Sequence, residues 1–160
     1  MNTKILKLLQ RNARLSCEEI ATALGIPERT VEEEIAKMEC DGVIRAYACV
    51  IDEEKVRGGG VTALIELKVT PKAGRGFEDV AERISGYPEV ESCALLSGVC
   101  DLLVTVRGES FKEVSSFVAN ELAMIDGVSS TATQFVMKKY KEMGVALIGE
   151  DDDGRGRISL

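Results

Sequence analysis

Residues 16–31 read Ser16-Cys17-Glu18-Glu19-Ile20-Ala21-Thr22-Ala23-Leu24-Gly25-Ile26-Pro27-Glu28-Arg29-Thr30-Val31. Ser16 and Glu19 have the S-x-x-E spacing of a capping box, in which hydroxyl and carboxylate each satisfy an orphan amide of a first helical turn. A helix of about eight residues therefore starts here, with Ile20, Ala21 and Leu24 on one face. Gly25 supplies a terminator that tolerates positive φ. Pro27 suits the first turn of a further helix, where its missing N–H costs nothing. Val31, Ile35 and Met38 then form an i, i+4, i+7 stripe that runs out at Asp41-Gly42. Two helices separated only by Gly25-Ile26 have the layout of a helix-turn-helix.

Upstream, Ile5, Leu8 and Leu9 recur at i, i+3, i+4 and predict a helix from Thr3 to about Gln10–Ala13. Downstream, Val43 to Ile51 is rich in β-branched and aromatic residues and closes on polar Asp52-Glu53-Glu54-Lys55, which predicts a strand or short hairpin. Three short helices followed by a β-wing make a winged helix-turn-helix over residues 1–57. The pattern alone also fits a generic three-helix packing unit.

Arg57-Gly58-Gly59-Gly60 marks a composition shift and reads as a linker. Beyond it, Val61–Val69 alternates apolar and polar residues as a strand does. Phe77, Val80, Ala81 and Ile84 make a helical stripe that stops at Gly86-Tyr87-Pro88. Val90–Ser97 and Leu102–Val106 read as strands joined by Gly98-Val99-Cys100-Asp101, Phe111 to Leu122 as a helix, and Val128–Lys138 as a last strand. The order βαββαβ is the ferredoxin-like arrangement, here over residues 58–149. The fold class is thus α+β, a winged helix-turn-helix followed by a ferredoxin-like domain. A four-stranded sheet with helices on one face leaves the other bare, and covering it predicts dimerisation. Residues 150–160, opening on Asp151-Asp152-Asp153 and lacking any apolar period, read as a disordered acidic tail.

Composition narrows the chemistry. The 160 residues include 27 Asp plus Glu, 20 Lys plus Arg, five Cys and no His. Without His the commonest general base and triad partner are missing, so an enzyme is not expected. No two cysteines are spaced C-x-x-C, and we expect neither a metal nor a cofactor. The apolar runs fall far short of the ~20 residues of a membrane span, and Met1 to Leu6 lacks a signal-peptide pattern. The protein is expected in the cytoplasm, with reduced thiols.

Several pieces, in this order and spacing, carry a resemblance: Ile5-Leu6-Lys7-Leu8-Leu9, Arg14-Leu15-Ser16, Glu19-Ile20-Ala21, Leu24-Gly25-Ile26-Pro27, Thr30-Val31, Ile35, Gly42-Val43-Ile44, Leu95-Leu96-Ser97-Gly98-Val99-Cys100-Asp101, Asp126-Gly127-Val128 and Thr131-Ala132-Thr133. Over about residues 3–148 the chain resembles the Lrp/AsnC family of transcriptional regulators. The resemblance implies a DNA-binding winged helix-turn-helix tied to a ligand-sensing domain, assembled as homodimers and then as octamers or other higher rings. It implies a small effector of the amino-acid class held where sensor domains meet. On this basis Ser97, Gly98, Val99, Cys100 and Asp101 form the effector site. Amides around Gly98 take the α-carboxylate, Asp101 takes the α-ammonium, and Thr131 or Thr133 comes from a neighbouring subunit. A purely structural role stays open for this turn, where Gly98 relieves backbone strain and Asp101 accepts a turn amide.

Binding double-stranded DNA means gathering cations on one face. Residues 1–57 hold nine basic and eleven acidic side chains, a net charge of −2. With Val31 at 0° and ~100° per residue, the third helix turns Arg29, Glu33, Ala36, Lys37 and Cys40 away from the core stripe. Arg29–Glu33 and Glu33–Lys37 are both i, i+4 pairs, so Glu33 is expected to hold these cations within the helix when no DNA is present. Arg29 and Thr30, early in the helix, are candidates for base edges; Lys37, Arg45 and Arg14 are candidates for phosphates. The resemblance also implies a basic third helix, whereas this chain carries Glu32-Glu33-Glu34. That run motivates a second reading, a sensor or co-regulator subunit that assembles with a more basic paralogue and binds DNA weakly itself.

Overall fold

In the computed structural model, which describes residues 2–56, 58–71 and 75–148, the chain starts with three helices, α1 (Thr3–Arg11), α2 (Cys17–Leu24) and α3 (Glu28–Cys40). Their ends are set by short-range hydrogen bonds that the sequence encodes. The Glu19 amide donates to Ser16 Oγ at 3.1 Å and the Ser16 amide donates to Glu19 Oε2 at 2.7 Å, completing the capping box. Gly25, at φ 66°, turns the chain so that the Ile26 amide reaches the Ala21 carbonyl at 3.1 Å. At the end of α3, Gly42 repeats the device at φ 69°. The Val43 amide donates to Met38 O at 2.9 Å and the Gly42 amide to Glu39 O at 3.0 Å, the paired bonds of a Schellman motif. Ile5, Leu9, Ile20, Ala21, Val31 and Met38 are buried together, which is the apolar face read from the periodicity.

The strand or hairpin expected over Val43–Ile51 is not formed, and among the described residues no strand precedes Val61. A two-residue hairpin turn requires positive φ, normally from Asn or Gly, and Val43–Ile51 contains neither. A lone extended stretch has nothing to pair with. Instead, Tyr47 Oη donates to Glu39 Oε1 at 2.8 Å and ties the stretch back to α3. The polar stop after it becomes a 3-10 turn, Glu53–Lys55, with Asp52 Oδ1 accepting from the Glu54 amide at 3.2 Å.

The chain divides into two units, the first ending at Ile51 and the second beginning at Asp52. The second runs β1 (Val61–Val69), α4 (Glu78–Ser85), β2 (Val90–Leu95), β3 (Leu102–Gly108), α5 (Phe111–Asn120) and β4 (Val128–Phe135). The sheet order is β2-β3-β1-β4 with every neighbour antiparallel, the ferredoxin-like topology expected. Strand alternation sends Ala63, Ile65, Leu67, Leu102, Val104 and Val106 to one face, where they pack with Val80 and Ile84 of α4 and Val114, Phe117 and Val118 of α5. The opposite face carries Leu64, Glu66, Lys68, Leu103, Thr105 and Arg107, with cross-strand pairs such as Gln134–Glu66 at 2.8 Å and Ser92–Thr105 at 2.7 Å.

The last strand ends at Phe135, short of Lys138, and a small hairpin follows, β5 (Lys141–Glu142) and β6 (Val145–Ala146). Met143 at φ 44° and Gly144 at φ 87° form its turn. Met-Gly lacks the usual Asn-Gly signature, which is why the sequence reading passed over it. Among the described residues no helix is long and apolar enough to cross a membrane. The acidic tail assigned to residues 150–160 lies outside the described residues, as does Arg57 of the linker.

Candidate DNA-binding face and candidate effector turn

Of the six side chains singled out for DNA, Arg29, Thr30, Glu33 and Lys37 stand exposed on α3. Arg14 is exposed in the turn between α1 and α2, where its amide donates to Asn12 Oδ1 at 3.0 Å. Arg45 is exposed beyond α3, with its guanidinium beside Gly42. Arg29 Nε lies 2.8 Å from Glu33 Oε1, and the two side chains are 86% and 64% exposed. Lys37 turns forward instead, to Asp41 Oδ2 at 3.1 Å, so the expected Glu33–Lys37 pair gives way to one a turn further on. Both pairs are solvent-exposed and cost little to open.

The acidic residues of α3 do not act as one block. Glu34 Oε2 accepts the Asn2 amide at 2.9 Å and so serves the N-terminus of α1. Glu39 holds Tyr47, and burial followed by this hydrogen bond raises the Tyr47 phenol above its usual range. Burial, with Glu32 and Glu28 adding to it, likewise raises the Cys17 thiol. Of the three consecutive glutamates, Glu33 pairs with a candidate DNA-binding cation, Arg29. Sequence reasoning did not single out Lys4. It lines an open cleft of about 420 Å³ with Thr30, Asn2, Thr3 and Glu34, a meeting of α1 and α3 that no local pattern signals.

The second candidate site is the turn between β2 and β3. Ser97 and Gly98 are exposed, Val99 is 88% exposed and Cys100 is buried. The Leu96 amide closes the turn on the Asp101 carbonyl at 2.8 Å. Gly98 does not relieve strain: its φ lies outside the left-handed region, and a Cβ there would meet open space. Asp101 does not accept an amide of its own turn either. Its amide donates to Leu67 O at 2.9 Å while its Oδ2 accepts the Val69 amide, also at 2.9 Å. The side chain thus supplies the next rung of the β1–β3 ladder after β3 has turned away. Asp101 Oδ1 lies 3.8 Å from Lys68 Nζ, with the two side chains 25% and 45% exposed.

Thr131 and Thr133 pair with Leu67 and Ile65 across β1–β4 and therefore lie on the helix side of the sheet, whereas Lys68, which pairs with Ser130, lies on the other. One chain brings Asp101 to Lys68 and Val69 but does not bring it to either threonine. Lys68 was missed because its contact spans distant strands. In the strand pattern it reads only as a polar alternate.

Residues 2–45 match the family model described as winged helix-turn-helix DNA-binding, and residues 62–146 match that described as Lrp/AsnC ligand binding domain. The chain is 49% identical over 158 residues to the HTH-type transcriptional regulator YugG of Bacillus subtilis (strain 168), an alignment covering 98% of this chain and 95% of that one. It is 33% identical over 142 residues to the HTH-type transcriptional regulator FL11 of Pyrococcus horikoshii, covering 89% and 91% respectively. Among solved structures it is similar to a complex of the transcriptional regulator NMB0573 from Neisseria meningitidis with L-Met. There the TM-score is 0.70 at 29% identity, over 90% of this chain and 93% of that one. Its fold is also that of E. coli AsnC, with TM-score 0.66 at 21% identity over 89% and 95% of the two chains.

Proposed function

Because the chain belongs to the Lrp/AsnC family of transcriptional regulators, and is thus a DNA-binding regulator with a ligand-binding domain and not an enzyme, we propose that it reads operator DNA through α3 and answers to an amino acid bound between sensor domains. The observation that carries the first half is Arg29, exposed near the start of α3 and paired, in solvent, with Glu33. On DNA, Arg29 and Thr30 meet base edges while Lys37, Arg14 and Arg45 meet phosphates, and Glu33 releases its partner as the helix enters the groove.

For the second half, the effector lies against Ser97–Asp101, with backbone amides near Gly98 for its carboxylate and Asp101 for its ammonium. Thr131 or Thr133 arrives from another subunit. Three points support this reading. The NMB0573 structure contains L-Met. Among the described residues, nothing crowds the space beside Gly98. The threonines sit on the sheet side away from Lys68, so a site using both needs a second copy. The helix-free sheet face is the surface on which two copies pair, and dimers build into higher rings, octamers included.

The co-regulator reading rested on Glu32-Glu33-Glu34. Glu34 is turned to Asn2 and Glu33 is engaged by Arg29, a placement that favours the direct DNA-reading helix over that alternative. The test is selection of sequences from a random duplex library by the purified protein, repeated with each of the twenty amino acids. One enriched motif, whose affinity or complex size changes with an amino acid, is the expected result. No enriched motif removes the DNA-reading proposal, and a motif indifferent to all twenty removes the effector proposal.

A further inference from the structure

Asp101 and Lys68 stand side by side as an ion pair too long for a direct hydrogen bond. Asp101 is fixed by the backbone, because its Oδ2 accepts the Val69 amide at 2.9 Å and its own amide donates to Leu67 O at 2.9 Å. Its Oδ1 points to Lys68 Nζ across 3.8 Å, beyond the ~3.2 Å of a direct hydrogen bond. The ammonium sits on the polar face of β1 and is 45% exposed, which leaves its donors accessible. A part-buried carboxylate and an accessible ammonium at this separation make a dipole with unused valence at both ends.

An α-amino acid carries the complementary dipole. Covalent geometry, with N–Cα at ~1.46 Å and Cα–C at ~1.52 Å, puts its ammonium nitrogen and nearer carboxylate oxygen about 3 Å apart. Laid antiparallel on the Asp101–Lys68 pair, its ammonium meets Oδ1 while its carboxylate meets Nζ, and all four charges are paired at charge-assisted hydrogen-bond distances. We infer that Lys68 is a specificity-determining residue of the effector site, the group that tells the free α-carboxylate of the bound amino acid from a carboxamide. The inference rests on the proposed effector turn at Ser97–Asp101 and adds to it a residue from β1.

Calorimetry separates the two. Wild type, Lys68→Met and Asp101→Asn are titrated with the twenty L-amino acids and, for each that binds, with its carboxamide, which keeps the ammonium and loses the carboxylate charge. Lys68→Met keeps the stem length at an exposed strand position, and Asp101→Asn keeps an oxygen to accept the Val69 amide, so circular dichroism of both should match wild type. Wild type should prefer the acid over the amide by at least about tenfold, as expected for one charge-assisted contact. Lys68→Met should weaken acid binding by about the same factor and bring that preference close to one, whereas Asp101→Asn should weaken acid and amide alike. A Lys68→Met variant that keeps the wild-type preference overturns the inference while leaving the effector turn standing. Equal wild-type affinity for acid and amide overturns it as well. If no amino acid binds wild type, the effector reading fails and the inference falls with it.

Discussion

The charges of α3 and the charge of Asp101 are held in opposite ways. On α3, Arg29 and Lys37 find their partners four residues on, at Glu33 within the helix and at Asp41 capping its end, in solvent. Asp101 finds its partner at Val69, 32 positions back, across a strand boundary and partly buried. Exposed i, i+4 pairs contribute a few tenths of a kcal/mol and open readily, which suits groups proposed to exchange partners for DNA. A carboxylate that completes a β-ladder is a structural element as well as a candidate ligand, so the candidate effector turn and the fold share a side chain. The proposed recognition pairs on α3 complete no such ladder.

Two substitutions sharpen this contrast. Arg29→Ala should cost ~1–3 kcal/mol of specific DNA binding, as for a base-reading arginine, while changing stability by less than about 0.5 kcal/mol. Competition binding against non-specific duplex, alongside chemical denaturation, measures both. A stability loss as large as the binding loss would mean that the pair is part of the fold. Asp101→Ala should behave the other way, lowering the stability of the second unit by about 1–2 kcal/mol through the unsatisfied Val69 amide, with DNA affinity in the absence of effector unchanged. Hydrogen exchange at the Val69 amide reports the same loss locally, and unaltered protection there would show that the ladder does not need the side chain.

The same contrast explains what the sequence made legible. Capping box, helix stripes, strand alternation and the Arg29–Glu33 pair all lie within a few residues, and local periodicity found them. The βαββαβ order followed from those elements. Val43–Ile51 misled because β-propensity describes what suits a pleated surface, not whether a partner strand exists. Lys68 and Lys4 were invisible for the converse reason, since what makes them candidates is a neighbour on another element. Gly98 also shows the limit: a turn position suggested strain relief, yet the backbone there needs no glycine.

The three consecutive glutamates give a comparison inside α3. Glu33→Lys removes the Arg29 partner and reverses a charge on the outward face. It should raise affinity for every sequence by roughly 1 kcal/mol at low salt and steepen the salt dependence by about one to two phosphate contacts. Glu34→Lys reverses the same charge where the side chain serves the Asn2 amide. Its salt slope should stay near that of wild type, with a stability loss of about 0.5–1 kcal/mol in the first unit. Mobility shifts at several salt concentrations decide between them. Equal slopes for the two variants would mean that net charge, and not position on the helix, governs binding.

The smallest effect concerns Tyr47, which joins α3 to the stretch after it through Glu39. Burial and the hydrogen bond raise its folded-state pKa above the unfolded value near 10.0. A raised pKa means that the folded state favours the neutral phenol. The contribution is therefore complete below about pH 10 and fades as pH climbs through the higher folded value. Tyr47→Phe removes both the bond and the titration. Because Tyr47 is 49% exposed, the variant should lose only about 0.5 kcal/mol near neutrality. Urea unfolding of the two proteins, followed by helical circular dichroism between pH 7 and about pH 11.5, should give curves that lie apart at the acid end and converge at the alkaline end. The difference isolates this residue, because the rest of the chain is common to both proteins. A constant gap across the range would mean that Tyr47 stabilises by packing and not by its proton. A widening gap would reverse the sign, requiring that the phenolate be the favoured form beside Glu39, which like-charge repulsion forbids.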